Sequence, residues 1–523
     1  SFLPGVDVNR RGQGSTSYDL VMRGSNFEQI LIMVNGIPVN NLQTGHFNTD
    51  LPFTPEDIER VEISRGGNSV FYGITGFAGI INIILKKRSD IKLNIFAGEK
   101  SFSEIGVSAG KNLKHFNFGI SARRSSSSGY YNGQEFDNIS FRSNMSFNSK
   151  VITGSVETGY LKKDFGAKDF YAPFPSLEKI ESGLVQFRIV KRGKLSHKLS
   201  FSHNLHNDNF ILDRYNTGYF NSTSKTTQNY LKFHSDYNKK NVLLSGGIDL
   251  NLMKMDSTTM GLHTQKRGGI YFALGLKEDR WGFDLGLRMD SGLDRKSQVT
   301  FYTGIYKVFS NKYTLRGNIG RAVRYPTFTE LFYNSPSNIG DTELLMEKSE
   351  NLEISFSYPH KNFNMDLSVF YRKQDQMIDW IRNADEVTWR AVNTERNDVS
   401  GFEILINYNS EDFRVLSSFE RVFILGYESG YQSKYGFRFP DIKWSANFQY
   451  NVSSKIDLVF NYIYKQIFET KEHANLFNVS IGWKSKIFGI SMHIDNIFNS
   501  IIEEIPGIKI PGRWIWFSLN FGT

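Results

Sequence analysis

The residue types that could do chemistry do not form a catalytic or metal-binding motif in this sequence. It contains no H-E-x-x-H zinc motif and no G-x-x-x-x-G-K-[ST] phosphate-binding loop, and its one G-x-S-x-G match, Gly106 to Gly110, lies within the region of strand-like alternation and not at a strand-to-helix turn. It also contains no Cys, which excludes disulfides, Cys-ligated zinc and thiol nucleophiles. We therefore expect neither an enzyme nor a resident metal or cofactor.

Two histidines and three aspartates are the remaining candidates for metal ligands. His203 and His206 form an H-x-x-H pattern, but on a strand this spacing places the two rings on opposite faces. Asp208, Asp213 and Asp341 are predicted to lie in separate outer loops, where solvation is the plainer interpretation. These residues do not predict a metal site.

The composition points to a β-sheet membrane protein. The chain has 523 residues, of which 15% are aromatic and 45 are Gly, and its mean hydropathy is −0.37. The longest nearly apolar stretch, 78–85, is far shorter than the roughly 20 residues of a spanning helix. A transmembrane β-barrel needs apolar side chains only at alternate positions, so its average composition stays polar.

The formal net charge of +9 is spread along the chain without a basic block. This distribution does not favour nucleic acid, and contact with an anionic membrane surface or ligand is the milder interpretation. The chain opens on Ser1 without Met or a recognisable signal peptide, which we interpret as a processed or trimmed chain that leaves export open.

From Ile91 to the end, segments of roughly 10 to 15 residues alternate in hydrophobicity with a period of two. In the last of them, Ile515, Phe517, Leu519 and Phe521 share one face and are predicted to face lipid. A soluble β-sandwich would also alternate, but several hundred residues of it would normally break into domains joined by linkers, and no linker is apparent. A membrane barrel is therefore favoured.

The pattern predicts about 22 strands, an even number as in closed bacterial barrels. They start near Ile91, Phe102, His115, Phe136, Val151, Glu181, Leu195, Thr223, Lys240, Thr264, Trp281, Gln298, Tyr313, Asn351, Phe363, Thr388, Phe413, Tyr435, Lys455, Leu476, Phe488 and Arg513. The last strand should pair with the first, because an open edge in hydrocarbon leaves backbone groups unpaired.

The lengths of the connections predict the orientation of the barrel. Connections after even-numbered strands are short and those after odd-numbered strands include the long ones, such as 324–350. Outer-membrane barrels have short periplasmic turns and longer outer loops, so the first strand should run outward. Residues 88–523 are thus predicted to form the barrel. Residues 1–87 are predicted to form a small mixed α/β domain that plugs its lumen, which would otherwise leak.

Short motifs in both regions are typical of one family. Those of the plug occur in order: Leu3-Pro4-Gly5-Val6-Asp7-Val8, Arg23-Gly24, Ile30 to Pro38, Ile58 to Gly66, Tyr72-Gly73 and Gly79 to Ile84. Weaker marks in the barrel are Arg321 to Tyr333, Leu345 and Glu347, Asn393 with Gly401 and Glu403, Asp495 to Phe498, and Pro511 to Arg513. Through these motifs the chain resembles the TonB-dependent outer-membrane receptors over essentially its whole length.

The resemblance implies the function of the chain. It predicts active uptake of a scarce, bulky small-molecule ligand, such as a ferric siderophore, cobalamin or a similar metal chelate, across the bacterial outer membrane. The partners it implies are a TonB–ExbB–ExbD complex and the lipid and lipopolysaccharide of that membrane. Because the chain begins within the plug, the TonB box and the first part of the plug are expected to lie outside it.

Two other functions remain open at this point. The chain could be a non-transporting barrel subunit of a larger outer-membrane assembly, with an accessory outer-membrane partner. It could also be a passive porin, although a plug argues against this.

The resemblance also implies where a ligand binds. Segments 10–17 and 40–50 should be the outward loops of the plug and should line one cavity with the 324–350 loop. The polar candidates are Arg10, Arg11, Gln13, Gln43, His46, Asn48 and Asp50. In the long loop the candidates are Tyr325, Phe328 and Tyr333, which either contact ligand or pack the loop onto the barrel rim. His46 has the alternative of being a plain surface residue.

Four further residues are implied to hold the plug in place. Arg23 and Arg65 lie in the two Arg-Gly motifs of the plug, and strand alternation directs Glu353 and Glu403 into the lumen. In the family, matching positions form an Arg–Glu cluster between plug and wall. The alternative is that either carboxylate simply meets water in the lumen.

Overall fold

We describe a computed structural model of the chain. It describes residues 3–522 except 13, 15, 67–69, 72, 74, 75, 293, 294, 311, 395, 396, 427–429 and 506, and it leaves out the side chains of 295 and 296. Tyr72, which belongs to one of the plug motifs, lies outside the described residues. None of the helices in the described ranges is long and apolar enough to cross a membrane.

The N-terminal residues form two small sheets. Their strands are β1 (Val6–Arg10), β2 (Tyr18–Met22), β3 (Ile30–Val34), β4 (Ile37–Pro38), β5 (Ile58–Arg65) and β6 (Gly79–Leu85). β1 pairs with β2, and the other four have the order β4-β3-β6-β5, in which β3 and β6 are parallel. β3 is a continuous apolar run that is buried at every position, as expected for a strand covered on both faces.

The described residues of the plug contain only very short helices. Between its described strands the plug has 3-10 helices at Phe27–Gln29, Gly45–Phe47 and Pro55–Asp57, and no α-helix. Each is a single turn that a side chain caps, Asn26, Thr44 and Thr54 respectively, and two of the three run directly into a strand. Segments this short satisfy their free N–H groups with a cap and do not extend into an α-helix.

Residues from Ile91 onward are strands joined by turns and loops, with one short α-helix. The elements are β7 (Ile91–Gly98), β8 (Phe102–Asn112), β9 (Phe116–Ser127), β10 (Phe136–Asn148), β11 (Ile152–Gly166), β12 (Leu177–Lys191), β13 (Leu195–Ile211), β14 (Asn221–Lys239), β15 (Val242–Ser257), β16 (Gly261–Lys277), β17 (Trp281–Gly292), β18 (Arg295–Phe309), β19 (Tyr313–Arg324), α1 (Phe328–Phe332), β20 (Asn338–Ile339), β21 (Glu347–His360), β22 (Phe363–Asp375), β23 (Ile378–Arg382), β24 (Trp389–Asn393), β25 (Asp398–Asn409), β26 (Phe413–Leu425), β27 (Gln432–Ser433), β28 (Pro440–Asn451), β29 (Ile456–Ile467), β30 (His473–Lys484), β31 (Phe488–Asp495), β32 (Glu503–Ile505), β33 (Ile508–Lys509) and β34 (Trp514–Gly522).

Twenty-two of these strands form one closed antiparallel barrel. β34 pairs with β7 from Trp516 opposite Gly98 to Gly522 opposite Lys92, so no edge is left open. The predicted strand number and the predicted closing pair are both confirmed. The predicted boundary at residues 87 and 88 falls in the connection between β6 and β7.

One predicted strand start is wrong. The segment near Thr388 does begin a strand, but β24 belongs to a small sheet of the outer loops, and the barrel strand β25 starts ten residues later, at Asp398. β24 pairs with β23 of the same connection, where its alternating residues cover apolar loop residues instead of facing lipid. Alternation alone does not distinguish these two settings.

Alternation sets the two faces of the barrel wall. In β34, Phe517 is 49% exposed on the lipid side while the neighbouring Ser518 is 5% exposed on the inner side. In β22, Val369 is exposed and Phe370 is buried. The face that the sequence assigned to lipid is thus the face left uncovered by protein.

Connections on one side of the barrel are at most four residues long, whereas the other side carries the long loops 325–346, 376–397 and 496–513. By the usual asymmetry of outer-membrane barrels the long loops lie outside the cell. Together with the 426–439 connection they contain β20, β23, β24, β27, β32 and β33, so these loops are themselves structured. They frame the outer mouth of the plugged lumen.

Candidate ligand cavity and plug contacts

A cavity lies between the outward surface of the plug and the outer loops, with about 1090 Å³ of atom-free space that includes open solvent at its mouth. Its floor is plug, with Phe27, Glu28, Gln43, Thr44 and His46. Its wall is the outer part of the barrel, and its upper side is the 325–346, 376–397 and 426–439 connections. The remaining lining residues include Tyr171, Glu178, Asp208, Phe210, Phe220, Ser222, Thr329, Glu330, Tyr333, Ile378, Asp379, Trp380, Lys434 and Tyr435.

His46 is fixed in the floor by an ionic pair beneath it. Its Nδ1 lies 2.7 Å from Asp19 Oδ1, and Asp19 in turn pairs with the Arg11 guanidinium. The ring stacks on Phe27 at 4.0 Å and meets the edge of Tyr435 at 5.2 Å. Burial lowers the pKa of His46 and Asp19 opposes this shift, so the imidazole is neutral and Nδ1 donates to the carboxylate.

Carboxylates from the plug, the wall and the loops face the cavity. Glu28 accepts from Thr44 Oγ1 at 2.9 Å and Gly45 N at 2.8 Å. Burial, followed by the nearby Glu330 carboxylate, raises the pKa of Glu28 to about 8. Asp208 accepts from Gln43 Nε2 at 3.2 Å, across the boundary between wall and plug. The cavity therefore presents acceptor oxygens from more than one element.

The outer loops are tied to the plug through Glu347, which is completely buried. Its Oε1 accepts from Gln29 Nε2 at 3.1 Å and from Ile378 N at 2.7 Å. Its other oxygen accepts from Arg324, whose guanidinium also makes a two-pronged contact with Glu330 at 2.8 and 2.9 Å. One carboxylate thus joins the plug to the two longest loops.

The loops supply the basic residue of the cavity, Lys434. Its ammonium lies 5.3 Å from the Tyr435 ring centre and 5.8 Å from that of Trp389. Burial, followed by the neighbouring Arg11 guanidinium, lowers the pKa of Lys434 to about 7. Asp379 accepts from Trp380 N at 2.8 Å and from the Ser433 hydroxyl, and burial raises its pKa to about 6.

The structure brings only some of the predicted ligand residues together. Gln43, His46 and Tyr333 line the cavity, whereas Gln13 lies outside the described residues. Phe328 packs against Met255 and Met260, which is the rim-packing alternative. Tyr325 is buried beneath the Arg267 guanidinium, at 4.2 Å.

Four polar plug residues that were predicted to bind ligand do not line this cavity and have other partners. Arg10 pairs with Glu504 of the last outer loop at 3.1 Å, and Arg11 pairs with Asp19. Asp50 pairs with Lys163 of the wall. Asn48 accepts from Asn41 N at 2.9 Å within the plug. Each of the four thus contacts a protein partner, and ligand binding by them stays a prediction.

One of the metal-ligand candidates differs from expectation. Asp208 is not solvated: it is 3% exposed and faces inward near the outer end of β13. His203 and His206 do lie on opposite faces, since His206 packs on Phe47 of the plug at 4.6 Å while His203 contacts Asn229 of the neighbouring strand. No group of three or more His, Asp or Glu suited to a metal ion occurs among the described residues.

A second set of predicted residues meets at the plug–wall boundary, away from the cavity. Arg23 donates to Glu403 through Nε at 2.6 Å and Nη2 at 3.0 Å, and its Nη1 reaches Glu353. Arg65 Nη1 lies 3.4 Å from Glu403 Oε2. The backbone at Gly5 closes over this group, where an added Cβ would stand 2.4 Å from Glu403 Oε1. That these contacts anchor the plug remains a prediction.

A neighbouring ionic group at this boundary was not predicted. Asp7 lies 3.0 Å from Lys443 and 2.7 Å from Lys465, and Lys465 also contacts Glu504 at 2.9 Å. These lysines are far from Asp7 in sequence and carry no motif. Their inward parity on β28 and β29 was the only signal available.

The cavity residues that sequence analysis missed are mostly loop residues. Trp380, Lys434 and Tyr435 come from connections that lack a periodic pattern. Asp208 did carry a signal, because it shares strand parity with Asn204 and His206, which also face inward.

A lumen filled by an N-terminal plug, with a cavity above it, defines an outer-membrane receptor of the plugged-barrel class. Comparison with protein families gives two matches: TonB dependent receptor-like, beta-barrel over residues 91–497, and TonB-dependent Receptor Plug Domain over residues 1–80. The chain belongs to the TonB-dependent receptor family and is a protein of the outer membrane.

Similar proteins have related descriptions. The vitamin B12 transporter BtuB of Photobacterium profundum is 22% identical over 78% of this chain and 69% of its own length. That of Vibrio vulnificus is 20% identical over 99% of this chain and 88% of its own. The siderophore receptor PirA of Pseudomonas aeruginosa matches with a TM-score of 0.79 at 16% identity, covering 100% of this chain and 95% of that one.

Proposed function

We propose that the cavity binds a bulky metal chelate and that the chain carries this chelate across the outer membrane, with a corrinoid of the vitamin B12 type as the first candidate. The observation that supports this most is the composition of the cavity floor. Phe27, Gln43, Thr44 and His46 all belong to the plug. A ligand seated there touches the part of the molecule that must move for passage.

The relatives support the class of ligand. Curated relatives are vitamin B12 transporters, and the structures that share the fold include siderophore receptors and a copper transporter. An aromatic cavity with a few fixed polar groups suits a large, partly apolar chelate. No chemical conversion of the ligand is part of this proposal.

Energy for release would come from the inner membrane. By family membership, coupling passes through TonB, and we propose a TonB–ExbB–ExbD complex as its source, with lipid and lipopolysaccharide around the barrel. Within the chain, Glu347 is a candidate for transmitting ligand binding in the cavity to the plug. Its partner Gln29 is two residues from Phe27 in the cavity floor.

The test is an uptake assay in the native host. A deletion strain is supplied with labelled cyanocobalamin, ferric trihydroxamate or ferric tris-catecholate, and is complemented with the wild-type gene or left without it. We expect complementation to restore uptake of at least one chelate, and deletion of tonB to abolish it. If uptake of every chelate were the same with and without the gene, this result would contradict transport by the chain. It would favour a role as a subunit of a larger assembly.

The site is tested by a pair of variants in the same strain. Gln43→Ala removes a side chain of the cavity floor and should lower uptake at limiting chelate. Val61→Ala, an exposed plug position on β5 that does not line the cavity, is the control and should transport normally. Equal uptake by both variants would exclude the floor as the binding site.

A further inference from the structure

The lining of the cavity has more acidic than basic side chains, and this imbalance affects which ligands it can bind. Five carboxylates line it, namely Glu28, Glu178, Asp208, Glu330 and Asp379. Only Glu330 forms an ion pair with a Lys or Arg among the described residues, through Arg324. The other four contact only neutral donors, such as the Tyr171 hydroxyl that lies 2.9 Å from Glu178.

The basic groups of the cavity offer little to an anion. His46 is neutral and its Nδ1–H is already directed at Asp19. Lys434 is the one lysine or arginine among the described lining residues, and its Nζ already contacts the Asn338 side chain. Burial keeps Glu28 largely protonated at neutral pH, but a polyanionic ligand would still find no lysine or arginine except Lys434 among the described lining residues to compensate its charge, which is unfavourable where water is excluded.

Two buried acceptors in the lining have no partner of their own. Asp208 is 3% exposed and Gln43 is 6% exposed. They contact each other through Gln43 Nε2 and Asp208 Oδ2, which leaves Asp208 Oδ1 and Gln43 Oε1 without a hydrogen bond among the described residues. Buried acceptors are normally satisfied, so these two oxygens indicate where donors of a ligand belong.

From this arrangement we infer that the cavity selects uncharged or cationic chelates that carry N–H or O–H donors, and that it discriminates against polyanionic ferric chelates. Asp208 on the wall and Gln43 on the plug are the specificity-determining pair. A ligand donor placed between them hydrogen-bonds to the barrel and to the plug at the same time. This inference rests on the proposed function, since it assumes that the chelate binds in this cavity.

The test is equilibrium binding to the purified full chain in lipid nanodiscs. The probes are neutral cyanocobalamin, a monocationic ferric trihydroxamate and a trianionic ferric tris-catecholate. We expect the first or second probe to bind at least about tenfold more tightly than the third, as expected for a single uncompensated charge contact at a partly buried site. Asp208→Asn should weaken trihydroxamate binding by about tenfold and should not weaken tris-catecholate binding.

Two controls separate charge from folding. Asp341→Asn removes an exposed carboxylate of the outer 325–346 connection and should leave all three affinities unchanged. Glu178→Gln is a second cavity variant that should shift the same preference if Asp208→Asn does not assemble. Preferential binding of the tris-catecholate by the wild type would overturn the inference while the proposed function stands. Binding of no probe would overturn the proposed function itself.

Discussion

Buried carboxylates occur at two places where the plug meets the barrel, the plug–wall boundary and the cavity, and their partners differ between the two. At the plug–wall boundary Glu403 is paired with Arg23 and Arg65, and Asp7 with two lysines. In the cavity, Glu178 and Asp208 are as deeply buried but make no such ion pair among the described residues. Charges that hold the protein together are compensated by the protein, whereas those of the cavity leave compensation to a ligand.

The largest effect should follow from breaking the ion pairs at the plug–wall boundary. Glu403→Ala leaves the buried Arg23 guanidinium with Glu353 alone, and loss of one partner of a buried pair costs about 3–5 kcal/mol. We expect the plug to loosen, which should raise single-channel conductance in planar bilayers and susceptibility to large antibiotics. The control is Glu350→Gln, an exposed position on β21. Wild-type leak in the Glu403→Ala variant would refute the anchoring role.

A smaller effect should come from the glycine that covers Glu403. Gly5 has φ +78°, and its added Cβ would stand 2.4 Å from the carboxylate. Gly36 has nearly the same φ, +77°, but nothing lies within 4 Å of its added Cβ. Both Ala variants carry the strain of positive φ, about 1–3 kcal/mol. Only Gly5→Ala should also raise conductance, and a similar leak in Gly36→Ala would assign the effect to strain.

Sequence predicted the ion pairs at the plug–wall boundary better than the cavity, for a physical reason. Barrel alternation is fixed by the period of two, so the inward direction of Glu353 and Glu403 follows from their outward neighbours. Ligand contacts depend on which loops meet, and Trp380 and Tyr435 come from loops without a period. The ion pairs of Arg10 and Asp50 were not predicted, because their partners Glu504 and Lys163 are distant in sequence.

Binding in the cavity should depend on pH. Raising the pH through about 8 ionises Glu28, through about 6 ionises Asp379, and through about 7 neutralises Lys434. All three changes make the cavity more negative, so the monocationic trihydroxamate should bind up to about tenfold more tightly at pH 8.5 than at pH 5.5. Charged groups that face these residues are Glu330, Arg324, Arg11, Arg382 and Arg438.

The neutral corrinoid provides the control for this pH dependence. Its affinity should change by less than about threefold over the same range, because it carries no net charge for the carboxylates to attract. Calorimetry in buffers of different ionisation enthalpy should also detect proton release when the cation binds. An affinity for the cation that falls with rising pH would contradict the assignment of these groups to the cavity.

The smallest effect is expected from Lys434, the one lysine or arginine that the described part of the chain contributes to the lining. Lys434→Met keeps much of the apolar stem that lies near Trp389 and Tyr435 but removes the ammonium. Because burial lowers the pKa of Lys434 to about 7, only part of its charge is present at neutral pH. The trihydroxamate should therefore bind about two- to threefold more tightly to the variant at pH 6 and equally well at pH 8.5. A gain that persists at pH 8.5 would mean that Lys434 acts through loop packing and not through its charge.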